Sequence, residues 1–226
     1  MGEYYSEVLH RMKNTLRYKS RLNCLHEYLP GHCFAVIELT ENLAGKYNLN
    51  LDAVLAKNIA QNHDLGEYLK GDIDAGKIAH GKAKVEDKML YEKQAWDEIR
   101  KIIPENLFNE KYKYWRMFEE CEINEAKFVK TVDNLEATFY MIKIGAKGFM
   151  NKSNGNDCGM DEKDYDLTAM YPDLNMKIFI KAMNKVPNPG DLAGYLNELA
   201  LAKEKLKAIY EEVGAPWKKE YNYSLE

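Results

Sequence analysis

The chain concentrates its reactive side chains in one ten-residue stretch that begins at His63 and ends at Asp72. On a helix, Glu67 would follow His63 by four residues and Asp64 by three, so these side chains can face the same volume. Gly71 allows the backbone to turn before the last carboxylate of the stretch. Acid and imidazole groups at this density lose solvation and repel one another unless a cation or a substrate lies among them. The stretch is therefore the predicted site of the chemistry.

Two residues elsewhere, His32 and Asp133, extend the adjacent pair His63 and Asp64 to a set of four donors. Two neutral imidazoles and two carboxylates form a mixed site that suits a borderline divalent metal and leaves coordination positions for water and substrate. Each residue alone has a plainer explanation. His32 could be a hydrogen-bonded histidine in the first turn of a helix, and Asp133 a solvated residue at a helix edge. The combination favours the metal site.

Helical periodicity indicates the elements that position these residues. Helices are predicted from residue 4 to about 20, from 32 to 45 after a Pro30-Gly31 turn, from 50 or 52 to 63, from 86 to 103, from 124 onward, from 171 to 185 and from 191 to 212. Residues 105–120 are rich in aromatics and receive no assignment. Residues 71–84 combine glycines with lysines and are predicted to form a mobile loop or a short helix beside the site. No strand pattern persists and no repeat is visible, so the predicted fold class is all-α.

Length and composition predict one domain with an appended segment. The 226 residues, 46% hydrophobic and 30% charged, suffice for one buried core, assigned to residues 1–150, with residues 151–226 forming a loop and C-terminal helices that pack on the same domain. The net charge is -4, and acidic and basic residues are mixed along the chain. The sequence therefore has no basic region that would bind duplex nucleic acid or an anionic membrane surface. Four dispersed cysteines and the lack of a signal-like or membrane-spanning apolar run predict reduced thiols and a cytoplasmic protein that does not bind membranes.

The order of the donors, a histidine, then His-Asp, then an aspartate, resembles that of the HD superfamily of metal-dependent phosphohydrolases. Residues 63–72 resemble the His-Asp-x-x-Glu-x-x-x-Gly-Asp segment of the branch that contains the 5'-deoxynucleotidases, and residues 129–137 resemble its Val-Lys-x-x-Asp-x-Leu helix. Arg17 and Tyr18 fall where these enzymes carry an arginine followed by an aromatic. The resemblance covers roughly residues 17–147 and implies an HD-domain helical bundle, here with a C-terminal helical extension.

The resemblance also implies roles for individual residues. One divalent ion would be bound by His32, His63, Asp64 and Asp133. Glu67 would position or deprotonate the attacking water, Asp72 would assist proton transfer, and Arg17 would clamp the phosphate. Further substrate contacts are assigned to Tyr18, Lys70 and Lys77.

The number and type of metal follow from the same comparison. HD enzymes with two metals carry two more histidines before the last aspartate, whereas only His80 is present there, so one metal is favoured. Two imidazole ligands favour Mn or Co, with Mg, Ni, Fe or Zn as alternatives. His26 competes with His32 for the first ligand position, and His32 is preferred because it opens a helical stripe. Gly31 replaces the acidic residue that usually precedes the first histidine, which leaves the acceptor for the second ring nitrogen unassigned.

Three functions are compatible with this pattern. The first is removal of the 5'-phosphate of (deoxy)nucleoside monophosphates by attack of a metal-bound water, with a deoxy preference because Tyr18 would pack against the sugar. The second is a deoxynucleoside triphosphate triphosphohydrolase that releases tripolyphosphate, motivated by the lysines that flank the site, which are Lys70, Lys77, Lys82 and Lys84. The third is a non-catalytic helical domain that binds a nucleotide or a partner. A homodimer or higher homo-oligomer is expected because related enzymes often form one.

Overall fold

The computed structural model describes residues 27–69, 71, 73, 83–144, 193–214 and 217, and five N-terminal residues, which are His10, Met12, Lys13, Thr15 and Arg17. These residues include six α-helices with defined bounds, α1 (Leu29–Lys46), α2 (Ala53–Asn62), α3 (Val85–Ile102), α4 (Glu105–Glu120), α5 (Asn124–Ile144) and α6 (Ala193–Val213). A 3-10 helix, Leu65–Tyr68, lies between α2 and α3. Apart from one isolated bridge at Tyr28, the described residues contain no β-structure, which confirms the all-α prediction. None of the described helices is long and apolar enough to cross a bilayer.

The helix that carries His32 begins earlier than predicted. Pro30 and Gly31 do not form a turn before α1 but lie within its first turn, where the missing N–H of proline leaves no hydrogen bond unmade. The helix also continues one residue past Gly45, and the chain leaves it through Asn48, whose φ of 47° is left-handed. His32 is therefore the fourth residue of α1, at the end of its first turn, and is fully buried.

The next helix, α2, begins where the sequence predicted. Asp52 is its N-cap, and its side-chain oxygen accepts a hydrogen bond from the backbone N–H of Leu55 at 3.0 Å. The backbone N–H of Asp52 donates to Glu125 Oε1 at 3.0 Å, which ties the start of α2 to the first turn of α5. These bonds fix the register in which α2 brings His63 and Asp64 to the neighbouring helices.

The reactive stretch is not a continuation of α2. The helix ends at Asn62 with His63 as its C-cap, and the backbone of Asp64 leaves helical geometry at φ -106° and ψ 11°. The Glu67 N–H then bonds to the Asp64 carbonyl at 3.0 Å, which is the three-residue spacing of a 3-10 helix. Gly71 has a φ of 77°, a left-handed conformation that glycine adopts without strain. The side chains of His63 and Glu67 are consequently not stacked four residues apart on one helix.

Two apolar clusters join the elements that carry the site. The first joins α1, α2, α5 and α6 through buried residues that include Val36, Ile59, Val132, Leu135 and Ala202. The second joins the 3-10 helix to α3 and α4 through Leu65, Tyr68, Trp96, Ile99 and Phe108. The aromatic-rich residues 105–120, which received no assignment, form α4. Three of its rings contact Trp96 of α3 at 5.3 to 5.9 Å between centroids, those of Phe108 and Tyr112 edge-to-face and that of Trp115 tilted.

The N-terminal segment departs from its predicted helix. His10, Met12 and Lys13 are helical, but Thr15 and Arg17 are not, so the helix does not reach residue 20. Instead, the Arg17 N–H donates to the Glu27 carbonyl, and the Leu29 N–H donates to the Thr15 carbonyl, each at 2.9 Å. This pairing holds Arg17 beside the start of α1. The predicted helix 171–185 and the loop predicted at the start of residues 151–226 lie outside the described residues, as do Cys24 and Cys158. Cys33 and Cys121 are described and are free thiols.

Candidate metal centre

Four donor atoms from α1, from the end of α2 and from α5 converge on one point. Nε2 of His32 lies 3.1 Å from Asp133 Oδ1 and 3.4 Å from Asp64 Oδ2. Nε2 of His63 lies 3.3 Å from Nε2 of His32 and 3.2 Å from Asp64 Oδ2. The structure thus brings together all four residues that the sequence predicted as metal ligands. Three of them, His32, His63 and Asp133, also have ligand atoms within 4.8 Å of one another as a group.

The outer nitrogens of the two imidazoles decide which way their lone pairs point. Nδ1 of His63 lies 2.7 Å from the carbonyl oxygen of Ala60, which can only accept, so this nitrogen carries the hydrogen. Nδ1 of His32 lies 2.5 Å from Glu136 Oε2 and donates to that carboxylate. In the neutral form of both rings, the lone pairs of the two Nε2 atoms therefore face each other at 3.3 Å. Such an arrangement requires a cation or a proton between them.

The spacing of the donors fits a divalent ion. Donors about 2.1 Å from one ion, at angles between about 90° and 109°, lie about 3.0 to 3.4 Å apart. Four of the six separations among these donors, 3.1, 3.2, 3.3 and 3.4 Å, fall within this interval. Asp133 retains 23% exposure of its side chain while both imidazoles are fully buried, so the centre is open on the aspartate side. The residues present fit a divalent metal with room for further ligands.

Electrostatics show what holds the cluster together without an ion. Burial lowers the pKa of His32 and Arg17 lowers it further, but the carboxylates that accept its hydrogen bonds outweigh both and raise it well above the usual value. Burial raises the pKa of Asp64, yet the two histidines outweigh burial and hold this pKa well below its usual range. Burial also raises the pKa of Asp133, but the hydrogen bond to His32 outweighs burial and lowers this pKa below its usual value. The donor set therefore favours a positive charge at its centre.

Behind His32 lies a buried charge network that the sequence did not reveal. Nη1 of Arg17 is 2.8 Å from Glu27 Oε2 and 3.4 Å from Glu136 Oε2, and all three side chains are at most 10% exposed. Glu136 thereby joins the arginine to Nδ1 of His32. The acceptor that Gly31 cannot supply comes from α5, one helical turn after Asp133. Sequence spacing could have suggested Glu136, because residues three apart share a helix face.

Glu67 is buried on the other side of the site, against α3. Its Oε1 lies 3.0 Å from Nζ of Lys88, which also lies 3.5 Å from Glu92 Oε1. The other oxygen of Glu92 accepts a hydrogen bond from Trp115 Nε1 at 3.2 Å. Burial raises the pKa of Glu92 to about 7, although the Lys88 charge opposes the shift. Neither Lys88 nor Glu92 was predicted as part of the site.

Cys33, next to the first histidine, points its sulfur toward the centre. Its Sγ, a ring nitrogen of His63 and a carboxylate oxygen of Asp64 lie within 4.8 Å of one another. Burial raises the pKa of the thiol well above its usual value, and the charges of Asp64 and Glu67 raise it further. Cys33 is therefore a protonated thiol at neutral pH.

Several residues with predicted roles lie outside the described part of the chain. They are the substrate contacts Tyr18, Lys70 and Lys77, the proton-transfer residue Asp72, and also Lys82, His26 and His80. Their assigned roles stay predictions. Lys84 is described and forms the N-cap of α3, where its backbone N–H donates to Asp87 Oδ2 at 3.3 Å.

Comparison with known protein families gives a match over most of the chain. A family model described as HD domain matches residues 9–153. The 5'-deoxynucleotidase HDDC2 of Dictyostelium discoideum is 33% identical over 96 residues, which are 42% of this chain and 48% of that protein. The protein of the same name from Xenopus laevis is 37% identical over 89 residues, which are 39% of this chain and 41% of that protein. The chain spans less than half the length of these curated relatives.

Two solved structures share the fold. One is a predicted metal-dependent phosphohydrolase from Magnetospirillum magnetotacticum MS-1, with a TM-score of 0.63 and 17% identity over 94% of this chain and 93% of that one. The other is the PH0347 protein from Pyrococcus horikoshii OT3, with a TM-score of 0.58 and 19% identity over 91% of this chain and 99% of that one. At these identities the likeness demonstrates a common fold.

Proposed function

This chain belongs to the HD domain family, and from that premise we propose that it is a metal-dependent phosphohydrolase that removes the 5'-phosphate of deoxynucleoside monophosphates. The observation that carries the proposal is the convergence of two imidazole Nε2 atoms and two carboxylates at 3.1 to 3.4 Å. The name of the HDDC2 relatives supports the substrate class, since they are called 5'-deoxynucleotidases.

In this proposal His32, His63, Asp64 and Asp133 hold one divalent ion, with Mn or Co preferred over Mg, Ni, Fe or Zn because two ligands are imidazoles. A divalent ion at this position supplies charge neutralisation for phosphoryl oxygens and lowers the pKa of a bound water. Phosphate monoesters are among the slowest bonds to hydrolyse unaided, so both contributions are needed.

The chain's own residues then orient the reactants. Glu67 accepts a proton from the attacking water and is held for that task by the ammonium of Lys88, 3.0 Å away. His32 is fixed through Nδ1 by Glu136, which would keep Nε2 available to a bound ion. Arg17 carries the charge that a phosphate clamp needs, but its pairing with Glu27 and Glu136 supports a role in holding His32 as well. Proton transfer by Asp72 and substrate contacts by Tyr18, Lys70 and Lys77 complete the proposed site.

The proposal extends to the state and location of the protein. We propose a cytoplasmic homodimer or higher homo-oligomer. Support comes from large apolar side chains left exposed on two helices, Phe34 at 63% on α1 and Met89 at 59% on α3. Light scattering during size-exclusion chromatography measures this state, and a monomer at micromolar concentration would contradict it.

The test is a phosphate-release screen on the full chain after chelation and reloading with Mn, Co, Ni, Zn or Mg. We expect orthophosphate from deoxynucleoside 5'-monophosphates, dependent on the added metal, and less from the ribonucleotides. An Asp64→Asn variant should lose this turnover while remaining folded, as judged by its circular dichroism spectrum.

Two outcomes would overturn the proposal. Release of tripolyphosphate from dATP, with no orthophosphate from dAMP, would identify a triphosphohydrolase instead. Nucleotide binding without turnover under any metal would identify a non-catalytic binding domain, and the Asp64→Asn variant would then keep its affinity for the nucleotide.

A further inference from the structure

We propose that Lys88 is a positioning residue of the active site, which acts through Glu67 and is itself held in place by Glu92. The inference rests on the proposed function, because it assigns Lys88 to the same reaction. It makes α3 part of the catalytic apparatus, whereas the sequence suggested only a helix that follows a lysine-rich loop.

The contact between Lys88 and Glu67 is close and largely shielded from water. The ammonium nitrogen lies 3.0 Å from Glu67 Oε1, and the Glu67 side chain is 5% exposed, against 32% for Lys88. A hydrogen bond between charged groups is about twice as strong as a neutral one, and a buried acceptor is screened less by solvent. Lys88 therefore fixes the position of one oxygen of the catalytic carboxylate.

The position of Lys88 is itself determined by its own helix. Glu92 lies one turn further along α3, with Oε1 at 3.5 Å from the ammonium and the side chain 6% exposed. Its other oxygen is occupied by Trp115 Nε1 of α4 at 3.2 Å. Glu92 thus cannot rotate away from Lys88 without losing a hydrogen bond in a buried environment. The result is a chain of contacts from Trp115 through Glu92 and Lys88 to Glu67.

The 3-10 helix lies close enough to α3 for these contacts to form only because Gly66 has no side chain. A Cβ at Gly66 would lie 3.1 Å from both Cβ and Cγ of Glu92 and 3.3 Å from Trp96 Nε1. The residue immediately before Glu67 therefore rests directly on the helix that carries Lys88. This contact brings the carboxylate within reach of the ammonium, which distinguishes Lys88 from a lysine on a solvated face.

The first test compares Lys88→Met with Lys88→Arg and with a control, Lys93→Met, which removes an exposed lysine from the same helix. We expect kcat for release of orthophosphate from dAMP to fall roughly 10- to 100-fold in Lys88→Met, the range for loss of a hydrogen bond between charged groups, with KM little changed. Lys88→Arg should restore most of kcat, and Lys93→Met should match the wild type. Full activity of Lys88→Met would overturn the proposal.

The second test asks whether Lys88 acts through Glu67. In a Glu67→Gln background, Lys88→Met should lower kcat no further, because the group that it positions is already lost. If instead the factors by which the two substitutions lower kcat multiply, Lys88 acts independently of Glu67 and the proposal is wrong.

A third measurement does not depend on turnover. Urea unfolding of the metal-free proteins, in the same double-mutant cycle, should show that the effects of Lys88→Met and Glu67→Gln on stability are not additive. If the changes in the free energy of unfolding are additive, Lys88 and Glu67 do not interact and the proposal is wrong. If the wild-type protein hydrolyses no nucleotide, the proposed function fails, while this cycle still tests the contact.

Discussion

Glu136 Oε2 lies 2.5 Å from Nδ1 of His32, although 104 residues separate the two along the chain. Asp133, one turn earlier on the same helix, approaches the opposite nitrogen of the same ring at 3.1 Å. One face of α5 therefore contacts both nitrogens of His32, one through a candidate metal ligand and one through the residue that orients the ring. The arrangement fixes the tautomer and the direction of the lone pair at once.

Removing the Glu136 carboxylate should weaken metal binding. We expect Glu136→Ala to lower the affinity for Mn²⁺ by about 10- to 100-fold, because His32 loses the acceptor that orients it. Glu136→Gln, which can still accept the hydrogen bond, should have a smaller effect. Competition with a fluorescent chelator measures the affinity. Glu110→Gln, at an exposed position of α4, is the control, and an unchanged affinity in Glu136→Ala would contradict the assigned role.

Arg17 should be a large contributor to stability. Its guanidinium lies between two carboxylates that are each 8% exposed, so Arg17→Met leaves buried negative charges unpaired. Such a loss costs about 3 to 5 kcal/mol. Urea unfolding of the metal-free protein measures it. Arg116→Met removes an exposed arginine paired with Glu120 and should change stability by less than about 1 kcal/mol. Equal effects of the two substitutions would show that the Arg17 network is solvated.

Glu92 should make the stability of the metal-free protein depend on pH. Burial raises its pKa to about 7 in the folded protein, against an ordinary value of 4.5, while Glu119 and Asp64 add to the shift and Lys88 and Trp115 oppose it. Between these two values the folded state binds more protons than the unfolded state, so this contribution to stability is greatest below pH 4.5 and is lost as the pH rises through about 7.

Glu92→Gln removes this titration. The free energy of unfolding of Glu92→Gln minus that of the wild type should therefore rise by about 2 to 3 kcal/mol as the pH is raised from 5 to 8. The comparison uses the change with pH and not the absolute difference, because the substitution also weakens the contact with Lys88. Denaturant unfolding of both proteins at each pH provides the measurement. If the free energies of unfolding of the two proteins change in parallel with pH, the pKa of Glu92 is not raised in the folded protein.

Two glycines provide a matched test of the contact between the 3-10 helix and α3. Gly66→Ala forces a methyl group to 3.1 Å from Glu92, and the overpacking should destabilise the protein by about 1 to 3 kcal/mol. Gly45→Ala lies on the exposed side of α1 with no atom within 4 Å and should stabilise the helix by about 0.5 to 1 kcal/mol. Thermal unfolding distinguishes the two, and a stabilising Gly66→Ala would argue against the close approach.

The extent of prediction from sequence differs between elements for physical reasons. The start of α2 could be predicted because an N-cap is local, and Asp52 caps it as expected. The buried stripe of α5, with Phe128, Val132 and Leu135, follows from a period that needs no knowledge of its partners. The helix α4 was missed because its aromatic residues pack on two different clusters, Phe108, Tyr112 and Trp115 on that of Trp96 and Tyr114 and Phe118 on the other, which blurs a single apolar stripe.

The site shows the same division. Its four central donors were predicted together because they resemble a family pattern, and the structure brings them to one point. Glu27, Glu136, Lys88 and Glu92 were missed because each contact joins segments that only the fold brings together, apart from the Lys88–Glu92 pair within α3. The end of α2 at Asn62 lies one residue before the predicted end at His63, but the 3-10 helix that follows, where Gly66 lies close to Glu92, was not predicted because that contact joins two separate segments.

The proposed metal centre is tested most directly by the number of ions that the four donors hold. Equilibrium dialysis of the metal-free chain against Mn²⁺, followed by elemental analysis, measures that number. We expect one ion per chain in the wild type and loss of that ion in both Asp64→Asn and Asp133→Asn, with Glu110→Gln unchanged. Absence of bound metal in the wild type, or full occupancy in the two aspartate variants, would contradict the central claim.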